Sequence, residues 1–117
     1  MLPNRMQLSR QTEEQLKKLK SYTGITPNVA ARLAFFRSVE SDFRYSSELT
    51  NKKLDGVLVL DKITWLGETL ETTELILKLL YPQIEQKMLI KAWAAHVDDG
   101  ISALRNYRNL KDFSFNI

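Results

Sequence analysis

The segment over residues 26–41 constrains the fold of this chain more than any other. Thr26-Pro27 reads as a helix start, with threonine at the N-cap and proline at the first helical position, where its fixed φ and missing N–H carry no penalty. The residues that follow, Val29, Ala30, Leu33, Ala34, Phe35, Phe36 and Val39, spread around most of the helical circumference instead of forming one stripe. A helix apolar on most sides has to be covered on most sides, so this one belongs at the centre of a helical domain. At 117 residues the chain can build one core. A core of that size surrounds a helix incompletely, so part of this helix is expected to pack against a second copy of the chain.

The flanking segments supply the cover. Met6 and Leu8 alternate with Arg5, Gln7 and Ser9, which predicts a short strand over residues 5–9 with the two apolar side chains on one face. Thr12 and Gln15 have capping-box spacing and predict a helix over residues 11–22, with Leu16, Leu19 and Tyr22 on one side and Gly24 as its left-handed C-cap. Two β-rich runs, 57–60 and 63–66, are joined by Asp61-Lys62 and read as a hairpin. A helix over 69–80 stops at Tyr81-Pro82, and Pro82 opens another that continues to about residue 97. Gly100 breaks or bends that pattern before a last helix over 101–109, and the apolar tail 113–117 is expected to dock. The fold class is therefore mainly α with minor β. It is a compact single domain over residues 1–117, with a basic strand–helix–helix segment at 5–41 and a helical remainder at 42–117, forming a homo-oligomer.

Charge is distributed unevenly over this plan. Residues 1–44 hold eight basic and four acidic side chains, a net +4, whereas residues 45–117 hold nine and ten, a net −1. A localised basic surface facing a phosphate backbone is the simplest functional reason, and a solvated helix face is the ordinary alternative. Spacing sorts the cations. Glu13 stands four residues before Lys17, and Glu14 four before Lys18, so both lysines have a local explanation worth about 0.2–0.5 kcal/mol each. Lys20, Arg5 and Arg32 have no acidic neighbour at helical spacing, and Arg10 precedes the expected helix start. The phosphate-contact candidates are Lys17, Lys18, Lys20, Arg5 and Arg10, with Arg32 second. The paired lysines stay on the list because a surface ion pair worth under about 1 kcal/mol is readily exchanged for a phosphate.

Several classes of chemistry are absent. Zero cysteines exclude disulfides, thiolate nucleophiles, cysteine-ligated zinc and iron–sulfur clusters held by this chain. His96 is the single histidine, and despite Asp98 and Asp99 beside it, it reads as a satisfied polar residue rather than a metal or acid–base site. Glu68, Glu71 and Glu74 read as carboxylates favoured by a helix dipole. There is no glycine-rich phosphate loop, paired-carboxylate motif or supported Ser-His-Asp set. No catalytic residue, metal site or cofactor is expected. The longest apolar runs, 75–81 and 88–95, are interrupted by Lys78 and Lys91 and fall short of the roughly 18–20 residues that span a bilayer. With no membrane span or signal peptide expected, the default location is cytoplasmic.

Four stretches together carry a resemblance. These are Leu8-Ser9, then Leu16-Lys17-Lys18-Leu19-Lys20, then Tyr22-Thr23-Gly24-Ile25-Thr26-Pro27-Asn28 with Ala31-Arg32, and finally His96-Val97-Asp98-Asp99-Gly100-Ile101. The chain resembles, along its whole length, the DNA sulfur-modification family DndE. The turn from Thr23 to Asn28 feeding an arginine-bearing helix is the most specific part. The resemblance implies a small accessory protein of the system that replaces a non-bridging phosphate oxygen of DNA by sulfur. It implies a homotetramer that binds double-stranded DNA, nicked by preference, through basic surface residues, with Lys17, Lys18 and Lys20 as the DNA contacts. The sulfur chemistry then belongs to partners: a cysteine desulfurase, an iron–sulfur protein and an ATP-using protein. Two other readings stand beside it, a ribbon-helix-helix repressor and a protein-binding scaffold. A repressor would discriminate base sequence, and a scaffold would show no salt-dependent DNA binding. Lys17→Glu with Lys18→Glu is expected to weaken DNA binding while leaving oligomer size intact.

Overall fold

A computed structural model describes residues 1–48 and 52–104 of the chain. The elements run β1 (Arg5–Met6), α1 (Arg10–Thr23), α2 (Pro27–Val39), β2 (Leu60–Asp61), α3 (Lys62–Leu66), α4 (Leu70–Leu80) and α5 (Leu89–Leu104), with 3₁₀ turns at Gly67–Thr69 and Gln86–Met88. The fold is mainly helical with one small sheet, as the residue pattern predicts. None of the described helices is long and apolar enough to cross a membrane.

α2 is the central helix. Ala30, Ala31, Ala34 and Phe35 are buried, and its main partner is α5, with α1 and α3 closing other sides. The apolar circumference is thus covered largely within one chain: Leu33, Phe36 and Val39 are half-buried, and Val29 is 37% exposed. Most of the cover comes from α5, which lies along α2, and the partly exposed Val29, Leu33, Phe36 and Val39 are the apolar residues left for a second copy. What permits the close approach is Gly100. A Cβ built there would stand 1.8 Å from the Ala34 carbonyl oxygen, so the two backbones are effectively in contact. Gly100 was expected to break or bend the helix before a separate last one, yet α5 continues through it to Leu104, the packing requirement outweighing glycine's poor helix propensity.

Three other expectations are corrected. The strand is two residues long, and Arg5 pairs with Asp61 and Met6 with Leu60 in antiparallel register, although Met6 and Leu8 do share a buried face. Helix α1 begins at Arg10 with Ser9 as its cap, the Thr12 N–H donating to Ser9 Oγ at 3.2 Å, rather than with Thr12 capping through Gln15. The hairpin over 57–66 does not form. Asp61 accepts the Thr64 N–H at 2.7 Å and caps a short helix, α3, which turns Trp65 and Leu66 inward and Ile63 outward. Trp65 then donates its indole N–H to the Met6 carbonyl at 2.8 Å, fastening α3 to β1.

Further along, Pro82 begins no helix. Pro82 and Gln83 form a turn, and α5 starts at Leu89 after the 3₁₀ turn. Residues 101–104 of the expected last helix are the end of α5, whereas 105–109 and the tail 113–117 lie outside the described residues.

Candidate nucleic-acid interface

Helix α1 is amphipathic because its apolar and buried residues, Thr12, Glu13, Leu16 and Leu19, fall on one side. Ser9 closes one end and Gly24, at φ 79°, closes the other through its N–H to the Lys20 carbonyl at 2.8 Å. The remaining circumference presents Arg10, Lys17, Lys18 and Lys20, all exposed. At about 100° per residue, Lys18 and Lys20 flank Lys17 on either side. The structure thus places four of the six predicted cations on one rigid, doubly capped helix.

Their availability differs. Lys18 and Lys20 make no ion pair among the described residues, and the expected Glu14–Lys18 pair does not form. Lys17 does pair with Glu13, at 3.4 Å. That carboxylate is 2% exposed and also accepts the Leu58 N–H at 2.6 Å and the Val57 N–H at 3.3 Å. Glu13 therefore latches the segment before β2 onto α1, a role that i,i+4 spacing does not reveal. Lys17→Glu consequently affects stability as well as the cationic face. It places a second carboxylate beside a buried one, and we expect it to cost about 1–2 kcal/mol, between the values for exposed and buried pairs. Lys17→Gln, which adds no like charge, should cost less in a urea titration. Equal stability of the two variants would show that Glu13 does not sense residue 17.

Arg5 and Arg32 are placed elsewhere. Arg5 is exposed at β1, its guanidinium 3.4 Å from the Val59 carbonyl. Arg32, half-buried on α2, donates from Nε to the Trp65 carbonyl at 2.8 Å and from Nη2 to the Thr64 carbonyl at 3.0 Å. It satisfies the last carbonyls of α3, and a Cβ at Gly67 would meet its guanidinium at 2.9 Å. Of the six candidates, Arg32 has its donors most fully committed to the fold.

His96 is fully buried at 0% exposure, against Phe35, Phe43 and Tyr81. Ser38 Oγ donates to Asp99 at 2.8 Å, so the Nδ1–H of His96 donates to that oxygen at 2.8 Å, and Nε2 accepts the Tyr81 hydroxyl at 2.6 Å. The Tyr45 N–H completes the chain by donating to the Tyr81 oxygen at 2.7 Å. Ser, His and Asp do converge, but the Ser38 hydroxyl donates to Asp99 and His96 is a donor to the serine. This imidazole cannot act as the base that activates Ser38. Burial, with Arg44 as a smaller influence, depresses its pKa to about 4. His96 is a satisfied internal polar residue, as expected.

The acidic groups are dispersed. Glu74 accepts the Leu2 N–H at 2.9 Å and lies 4.0 Å from Lys62, while Glu68 and Glu71 face solvent. No group of three or more potential metal ligands exists among the described residues.

Comparison with known proteins decides the family. The DNA sulphur modification protein DndE family matches residues 5–112. The chain belongs to the DndE family. A crystal structure of DndE from Escherichia coli B7A, involved in DNA phosphorothioation modification, is 83% identical, with a TM-score of 0.87, covering 89% of this chain and 98% of that one. A crystal structure of a DndE glycine-to-lysine mutant, involved in DNA phosphorothioation, is 80% identical, with a TM-score of 0.84, covering 88% of this chain and 98% of that one. No curated protein matches. At these identities the DndE fold extends to this chain's helical arrangement, and the resemblance carried by the turn after α1 is that of a true family member.

Proposed function

We propose that this chain is a non-catalytic, DNA-binding accessory protein of the DNA phosphorothioation system. It holds duplex DNA, nicked by preference, on the cationic face of α1, as part of a cytoplasmic homotetramer. The sulfur chemistry falls to the cysteine desulfurase, iron–sulfur and ATP-using partners. The observation that carries this reading is the pair Lys18 and Lys20, exposed on a doubly capped helix with no ion pair among the described residues. Membership of the DndE family supplies the DNA context.

A second apolar surface, besides the one on α2, is available for assembly. Leu75 and Leu79, one turn apart on α4, are 57% and 71% exposed and together offer an apolar contact for a second copy. Each subunit offers only a few cations, so one copy binds weakly and several copies multiply the patch. A nick lowers the cost of bending the duplex onto more than one subunit.

The test is fluorescence anisotropy on intact and nicked duplexes of two sequences across a salt series. Tighter binding to the nicked duplex, independent of sequence, is the expected result. Lys18→Gln with Lys20→Gln should lower the slope of log K against log salt by about two. Equal affinity for intact and nicked duplex removes the nick preference, strong sequence discrimination indicates a repressor, and no binding at low salt indicates a scaffold.

A further inference from the structure

The basic face of α1 does not end with the residues of α1. Lys52 and Lys53 lie far from it in sequence, in the part of the chain that carries net negative charge. The fold brings them to the N-terminal end of α1, where they share a shallow surface depression with Arg10, Gln11 and Asp55. Lys52 Nζ stands 3.5 Å from Gln11 Oε1 and 2.9 Å from Asp98 Oδ2, and Lys53 is exposed with no ion pair among the described residues.

The carboxylates nearby have inward tasks. Asp98 accepts the Thr12 hydroxyl at 2.8 Å, tying α5 to the first turn of α1. Asp55 accepts the Arg10 N–H at 2.9 Å, and that bond holds its carboxyl below the ordinary range. Glu14, also at the rim, is exposed. Of these carboxylates Asp98 and Asp55 are bonded to α1, which leaves Arg10, Lys52 and Lys53 as the long, exposed side chains of the depression beside Glu14, at the positive end of the α1 dipole. The Lys52–Asp98 pair is itself exchangeable, since the Lys52 side chain is 46% exposed.

We infer that Lys52 and Lys53, together with Arg10, form a second phosphate-contact cluster, so that α1 holds the DNA backbone at both of its ends. The inference rests on the DNA-binding reading above. From Arg10 to Lys18 is about 12 Å along the helix at 1.5 Å per residue, comparable with the width of the major groove. One subunit therefore grips two separated backbone points, which sets the angle of α1 on the duplex. A single cluster would leave that angle free. Contacts of this kind read phosphates and carry no base information.

The test is a salt series on the nicked duplex with four proteins beside the unaltered one: Lys53→Gln, Lys52→Gln with Lys53→Gln, Lys18→Gln with Lys20→Gln, and Lys87→Gln as a control. Lys87 is 80% exposed, is paired with Glu85 and does not line this depression, so it reports the effect of net charge alone. The slope of log K against log salt should fall by about one for Lys53→Gln and by about two for the Lys52/Lys53 double variant, with Lys87→Gln unchanged. Lys53→Gln keeps the Lys52–Asp98 pair, so its effect is independent of any loosening of the fold. A slope unchanged by the Lys52 and Lys53 substitutions, but lowered by those at Lys18 and Lys20, overturns the second cluster and leaves the α1 reading intact. Slopes lowered equally by Lys87→Gln also overturn it. No salt-dependent binding by the unaltered protein overturns the DNA reading and this inference together.

Discussion

Gly100→Ala will destabilise the protein by about 3 kcal/mol or more, at or above the upper end of overpacking costs. The sign is the informative part. In a helix exposed to solvent the same change stabilises, because alanine is favoured over glycine by about 1 kcal/mol. Here the new methyl would sit 1.8 Å from the Ala34 carbonyl oxygen and 2.5 Å from its carbon. The obstacle is backbone, so no rotamer change on α2 relieves it, and α2 and α5 must separate along the contact that buries Ala30, Ala31, Ala34 and Phe35. Thermal unfolding should show a midpoint lowered by roughly 10 °C or more. A midpoint unchanged or raised would mean that the two helices do not approach each other as described.

Acid will remove about 3 kcal/mol of stability through His96 alone. Unfolded, this imidazole protonates near its ordinary value of 6.5, whereas in the fold its pKa is depressed to about 4, chiefly because burial disfavours the cation. Between those values the unfolded chain binds the proton and the folded chain does not. The contribution is therefore complete above pH 6.5, declines as pH falls, and is exhausted below about pH 4. The hydrogen-bond directions agree, since protonation at Nε2 would confront the Tyr81 hydroxyl with a second donor. Urea titrations from pH 7.5 to 4 should show the decline, and His96→Gln, less stable at neutral pH, should lack that segment of the profile. Asp55 and Asp61, held below the ordinary carboxylate range by the Arg10 and Thr64 N–H groups, act at lower pH and do not obscure it. A parallel pH profile for His96→Gln would assign the decline to other groups.

Much of the candidate interface was legible because it depends on one helix. The positions of Leu16 and Leu19 predict which side of α1 is buried, and that assigns Arg10, Lys17, Lys18 and Lys20 to the surface without reference to the rest of the molecule. Arg32 shows the limit of such reasoning. It lacks an acidic neighbour at helical spacing, yet its donors go to the Thr64 and Trp65 carbonyls, groups 32 and 33 residues away. Glu13 shows the same limit from the opposite sign: its partner Lys17 is local, but the Val57 and Leu58 N–H groups that explain its burial are not.

The misread hairpin has a related cause. Over 57–66 the β-branched residues favour a strand locally, but Asp61 is as good an N-cap as it is a turn residue. The helix prevails because it aims Trp65 and Leu66 together into the core, where Trp65 meets Trp93 at 5.6 Å between ring centres and donates to the Met6 carbonyl.

By itself the sequence determined what depends on residues within a turn or two of each other: a mainly helical domain, the Gly24 C-cap, the helix start at Thr26-Pro27, the buried stripe of α1 and the DndE-like turn. Only the tertiary structure decided what depends on distant backbone: that Gly100 joins rather than ends a helix, that α2 finds its cover in α5, and that Lys52 and Lys53 stand beside Arg10. Helical periodicity and capping are set by neighbours three or four residues apart, whereas a close helix crossing or a shared charge cluster exists only once segments tens of residues apart have been brought into contact.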